Sequence, residues 1–237
     1  AMQLLYGQLP EPVRGAALTV GGYTLPLMIM DYVGTVNTYL ALPVFAVFGV
    51  GVTSVRLLPI LLAALSLILG YLLAVRLFDH RVAAVATLLV AVDPSFVFFS
   101  RMGIHVTSVM TVFSLGSLLA FLRWRSSGHR RWLALGGLLL GLGLWAKVLF
   151  LWWIVALTAA WVVHKLCFRL RKSAQTSEVF ARHIPGRGGV AIVLGSMILG
   201  AGPLLAYNLA TGGTLISLIR NVLVTEHGVS NLDVLRN

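Results

Sequence analysis

Acidic side chains are scarce in this sequence. Only 7 of 237 residues are Asp or Glu, against 18 Lys and Arg, and charged residues of every kind make up 11%, where a soluble domain usually carries about 25%. So little charge excludes an ordinary water-soluble domain. Cysteine is nearly absent as well. The lone Cys167 rules out an intrachain disulfide and any cysteine-based metal cluster, and it reads as a small hydrophobe packed in protein or facing lipid. No metal-ligand spacing, nucleophile elbow or phosphate-cradling glycine loop occurs, and no cofactor is expected.

What the chain has instead is apolar length. Apolar residues make up 59%, arranged in windows of about 20 that follow one another with short polar breaks. This predicts an all-α fold, a polytopic transmembrane bundle of about six hydrophobic helices over 55–208. Residues 1–54 form a non-cytoplasmic loop, because Pro10, Pro12, Gly15, Gly21, Gly22 and Pro26 break any long helix. Within it, 32–50 is apolar but holds Thr35, Asn37, Thr38 and Pro43, which suits an interfacial helix. Spans are expected over 55–78, 82–100 and 105–124. The apolar run 132–164 is long for one helix and reads as two that meet at Lys147. A basic cytoplasmic loop, 165–188, precedes a last span over 188–208, and 209–237 is a tail opening a further outer loop. Gly137 and Gly141 make a small-xxx-small pair suited to close helix packing. The abrupt ends at Ala1 and Asn237 suggest a fragment of a longer polytopic protein, with a helix upstream.

The net charge of +11 suggests nucleic acid at first sight. Its distribution argues for a lipid bilayer as partner and no nucleic acid. Arg76 with Arg81, the group from Arg123 to Arg131, and the group from Lys165 to Lys172 lie two spans apart, as the positive-inside rule expects of one cytoplasmic side. The long loop, the turns at Arg101 and Lys147 and the tail then share the other side.

Few residues there can carry chemistry. Lys147 has no acid nearby in sequence; it is either a snorkelling lysine among interfacial tryptophans or a cation for a lipid-linked phosphate. Arg101 reads either as a headgroup anchor or, with His105 and Lys147, as part of a non-cytoplasmic basic pocket for an anionic headgroup; Arg56 on the same face could equally be an anchor, and His105 alone a hydrogen-bonded helix-end histidine. Asp31 is a helix-capping loop aspartate or a general base for an acceptor hydroxyl. Asp93 is expected to pair with Arg101 about two helical turns on.

The ordered words Pro26-Leu27-Met28-Ile29-Met30-Asp31-Tyr32-Val33-Gly34, Ser54-Val55-Arg56-Leu57-Leu58-Pro59, Phe99-Ser100-Arg101, Gly143-Leu144-Trp145-Ala146-Lys147 and Tyr207-Asn208 resemble the C-type membrane glycosyltransferases, the group of protein O-mannosyltransferases and aminoarabinose lipid A transferases. The resemblance implies sugar transfer from a polyprenyl-phosphate donor to an acceptor on the non-cytoplasmic face. It also implies a place in the bacterial cytoplasmic (inner) membrane, with the site facing the periplasm or exterior. Lys147, Arg101, His105 and Arg56 become donor-phosphate candidates, Asp31 a catalytic candidate, and Tyr32, Tyr207 and Asn208 site-lining ones. The family's usual acid would lie upstream of Ala1. A noncatalytic subunit that keeps this scaffold beside other membrane subunits is the alternative. A transporter fits less well, since its charges would line a path across the bilayer.

Overall fold

Breakers at the front of the chain and long aliphatic runs behind them divide the structure into a small β-rich cap and a helical body. The computed structural model describes residues 17–20, 23–102, 107–171 and 186–223. The cap consists of two antiparallel ribbons, β1 (Ala17–Val20) with β2 (Tyr23–Pro26), and β3 (Met28–Met30) with β4 (Val33–Gly34). The second ribbon turns at Asp31 and Tyr32, with Met30 opposite Val33. Helix α1 (Val36–Phe48) follows. At 13 residues it is about 20 Å long, shorter than the hydrocarbon core of a bilayer.

The body comprises α2 (Val52–Leu77), α3 (His80–Val92), α4 (Pro94–Arg101), α5 (Thr107–Ser127), α6 (Arg130–Ala146), a 3₁₀ turn (Val148–Phe150), α7 (Leu151–Arg171), α8 (Arg187–Gly200), α9 (Gly202–Thr211) and α10 (Gly213–Leu223). Helices α2 and α5 are each long and apolar enough to cross a membrane alone. The runs expected as single spans over 82–100 and 188–208 are instead broken. Helices α3 and α4 meet at 60°, α8 and α9 at 64°. The cause is proline at the start of the second helix in each pair, Pro94 and Pro203: proline lacks an N–H for the preceding turn and favours a helix start. Either pair can still supply one span.

The α3–α4 pair runs from one end of the body to the other. The His80 ring nitrogen Nδ1 lies 3.3 Å from the hydroxyl of Tyr71, near the end of α2, whereas Arg101 lines a cleft with Val52 and Arg56, at the start of α2. Helices α5 and α6 then form an antiparallel hairpin through Gly128 (φ 70°), and α6 packs chiefly on α5 and α8. Asp31, Arg56, Arg101 and Lys147 consequently share the capped end, and Arg76, Arg81, Arg123 and Arg131 the opposite one.

Side chains are arranged as in a bilayer solvent. Leu61, Ile68, Leu72, Leu88, Leu89 and Trp152 are exposed, while Ser66, Ser117, Ala63, Ala83 and Ala120 are buried between helices. Small residues let backbones approach where lipid gives no hydrophobic drive for helix association. The expected Gly137/Gly141 pair is the closest example. A Cβ on Gly137 would stand 2.5 Å from the Val193 carbonyl oxygen, and one on Gly141 2.1 Å from that of Met197.

Gly141→Val should therefore force α6 and α8 apart and cost about 3 kcal/mol, at the upper range of overpacking. Gly195→Ala, where nothing lies within 4 Å, should leave stability unchanged. Thermal unfolding of the two variants in detergent checks the contrast.

Candidate functional site

The site begins with a break in the helix. Helix α6 stops at Ala146 because Lys147 is extended (φ −160°, ψ 132°). The chain then folds back, so that buried Phe150 lies against Gly143, where a Cβ would meet its ring at 2.5 Å. The exposed backbone is taken up by the cap. Val33 bridges Lys147, and the Val148 N–H donates to the Tyr32 carbonyl at 3.0 Å. Gly34 has to be glycine here: a Cβ would fall 1.9 Å from the Trp145 carbonyl oxygen. The Trp145 indole N–H in turn donates to the Leu27 carbonyl at 2.8 Å, and Thr35 and Tyr39 hydroxyls donate to Pro26. Leu27, Met28, Val148, Leu204 and Tyr207 close over this contact as an apolar cluster.

The cap's hairpin tip is thereby held against α9 and α10. Asp31 does not cap a helix. Its carboxylate Oδ1 accepts from the Tyr207 hydroxyl at 2.7 Å, and its backbone carbonyl accepts from the Thr214 hydroxyl. Asn208 Nδ2 donates to Thr214 Oγ1 at 3.0 Å, and Asn208 Oδ1 is buried without a partner. The turn between α9 and α10 makes this possible: Gly212 adopts φ 64°, and a Cβ on Gly213 would meet the Tyr207 hydroxyl at 2.2 Å. Thr214 was not singled out in the sequence. It acts on a carbonyl 183 residues away, and only the Thr211-Gly212-Gly213-Thr214 turn hinted at a tight approach.

Three carboxylates occur among the described residues, and two are engaged in capping. Asp79 accepts from the N–H groups of Arg81 and Val82, both at 2.8 Å, and Asp93 from that of Phe96 at 2.7 Å. The expected Asp93–Arg101 pair does not form, because the two residues stand at opposite ends of α4, about 12 Å apart along an eight-residue helix. Asp31 is left as the carboxylate not engaged in helix capping.

The cations divide into two groups. Arg56 and Arg101 line an open cleft of about 330 Å³ with Val52, Thr53, Leu57 and Ile60. Two guanidiniums above an apolar wall suit a phosphate whose tail is hydrocarbon. Lys147 is not among the lining residues; it sits beside the cap hairpin, within two residues of Asp31 across the Val33–Lys147 bridge. His105 falls outside the described residues. Tyr32 lies at the hairpin tip, with its ring partly exposed. Among the described residues, no three His, Cys, Asp or Glu side chains gather as for a metal ion.

A helical membrane body, a cap hairpin docked on a broken helix and a two-arginine cleft are now in place, and a family model described as dolichyl-phosphate-mannose-protein mannosyltransferase matches residues 34–181. The chain belongs to this family. The match takes in α1, both arginines of the cleft and the Lys147 break, and it places the protein among the C-type membrane glycosyltransferases, as the sequence words implied. No curated protein and no solved structure matches the chain.

Thr214→Val keeps the shape but removes the donor to Asp31, and should loosen the hairpin by about 1–2 kcal/mol. Amide hydrogen exchange over residues 28–34 should rise in this variant and in Gly34→Ala, and stay at the parent rate in Thr214→Ser.

Proposed function

We propose that this protein transfers a sugar from a polyprenyl-phosphate-linked donor to an acceptor hydroxyl on the non-cytoplasmic face of the membrane. The observation that carries the reading is Asp31, a carboxylate free of capping, fixed at the capped end of a chain belonging to a mannosyltransferase family. The sidedness rests on the arginines. Arg76, Arg81, Arg123, Arg125, Arg130 and Arg131 gather at the opposite end, which the positive-inside rule assigns to the cytoplasm. The bacterial inner membrane, with the capped end toward the periplasm, is the setting that fits.

In this mechanism Asp31 takes the proton of the acceptor hydroxyl through one carboxylate oxygen, while the Tyr207 hydroxyl holds the other. The acceptor oxygen bonds to the anomeric carbon as the bond from that carbon to the phosphate oxygen breaks, inverting the centre. Negative charge develops on the departing lipid phosphate, and Arg56 and Arg101, with Lys147 from the same end, stabilise it. The apolar wall of Val52, Leu57 and Ile60 receives the first isoprene units. No redox cofactor takes part in this chemistry. A noncatalytic subunit of a larger membrane complex is the competing reading, and Asp31 separates the two.

The full chain reconstituted in nanodiscs should bind undecaprenyl phosphate, and Arg101→Ala and Arg56→Ala should each weaken it about tenfold, the loss of one charge-assisted contact. Unchanged affinity in both variants would contradict the pocket. With mannosyl-phosphoryl-polyprenol as the first donor to try, Asp31→Asn should keep binding and lose about 100-fold or more in transfer. No transfer above background by the parent favours the noncatalytic reading, and equal transfer by parent and Asp31→Asn contradicts the role given to Asp31.

A further inference from the structure

The end opposite the cap holds a feature that sugar transfer does not use. Trp132 stands on the first turn of α6, and two arginines lie against its ring. The Arg123 guanidinium carbon is 5.1 Å from the ring centroid and that of Arg131 5.6 Å. Arg123 comes from the last turns of α5 and Arg131 from the start of α6, so the tight turn at Gly128 brings both to one indole. Each cation gains from the ring's negative face, but the two positive charges are also driven together.

Among the described residues, no acid is seen to pair with either arginine. The sequence has no Asp or Glu between Asp93 and Glu178, and none of the helices packed on α5 or α6, namely α1, α2, α8 and α9, contains an acid. Glu178 is outside the described residues. Asp79, the acid of the neighbouring turn, is engaged by two backbone N–H groups. Arg123 and Arg131 are exposed and Trp132 is half-buried; tryptophan beside a basic loop is characteristic of the headgroup layer. A guanidinium beside an indole ring can still offer N–H donors to a planar, bidentate acceptor.

We propose that Arg123 and Arg131, held on Trp132, form a binding site for the phosphate of an anionic phospholipid in the leaflet at this end of the bundle. The lipid phosphate bridges the two guanidiniums, relieves their repulsion and ties the α5–α6 hairpin to its bilayer. The site is separate from the cleft of Arg56 and Arg101, and its anion is a structural lipid, not a sugar donor.

The full chain in nanodiscs of phosphatidylcholine, with and without phosphatidylglycerol, tests this by native mass spectrometry and thermal unfolding. The parent should retain phosphatidylglycerol and unfold at higher temperature when it is present. Arg123→Gln with Arg131→Gln should reduce retention about 100-fold, the worth of two charge-assisted contacts, while unfolding as the parent does in pure phosphatidylcholine. Should that pair fail to fold, Arg123→Lys with Arg131→Lys keeps the charge but not the fork, and should still lose about threefold in retention. Retention equal to the parent in these variants overturns the site. Equal loss on changing the nearby pair Arg76 and Arg81 to Gln would also overturn it, since a diffuse positive field would then suffice. Competition by inorganic phosphate would assign the site to a free anion and overturn the lipid reading.

Discussion

Trp145 is where the cap and the body meet, and much of the structure depends on how it is held. Its indole N–H reaches the Leu27 carbonyl, its backbone oxygen lies where only a glycine at 34 leaves room, and its ring packs 6.0 Å from that of Tyr39. It borders both apolar clusters at this end, one around Leu27 and Tyr207 and one around Val36 and Ala146. These contacts share one requirement: helix α6 must end at Ala146. An unbroken helix would keep the Val148 N–H for itself and leave the Tyr32 carbonyl without a partner. The break at Lys147 is thus the receptor for the cap hairpin, and the hairpin is what places Asp31.

Asp31 is fixed from two directions. The strand bridge ties residues 32 and 33 to the α6 break, and the hydroxyls of Tyr207 and Thr214 tie residue 31 to the α9–α10 turn. Those elements come from opposite ends of the sequence, so the tip orders only when the bundle is assembled. Such preorganisation suits a group that must meet a reacting hydroxyl without a large entropic cost. Tyr39 contributes from the side: burial pushes its hydroxyl above the usual tyrosine range, against the opposing effect of Thr35, and keeps it a donor to Pro26.

The helical membrane fold was plain in the sequence, because long aliphatic runs nearly free of charge find their stable solvent in lipid. The meeting point at Lys147 was legible too, since a run over 132–164 exceeds one span and carries one cation near its middle. The bends at Asp93-Pro94 and Ala201-Gly202-Pro203 were hidden by apolar residues on both sides, which keep hydropathy high across a change of direction. Asp31 was visible as a candidate, but a helix cap and a hairpin tip look alike until strand register is known. The grouping of Arg56 with Arg101, apart from Lys147, depends on which helices pack together, and Thr214 on a contact between distant segments. Neither leaves a local pattern.

The central claim is that the polyprenyl-phosphate donor and the sugar chemistry belong to the capped end, with Asp31 and the two-arginine cleft, and not to the arginine-rich end around Trp132. Photolabelling of the reconstituted full chain with a polyprenyl phosphate carrying a photoreactive group beside the phosphate, followed by peptide mapping, tests it directly. The account predicts labels on the first turns of α2, the end of α4 and the hairpin of residues 28–34. Labels confined to the α5–α6 turn would contradict it.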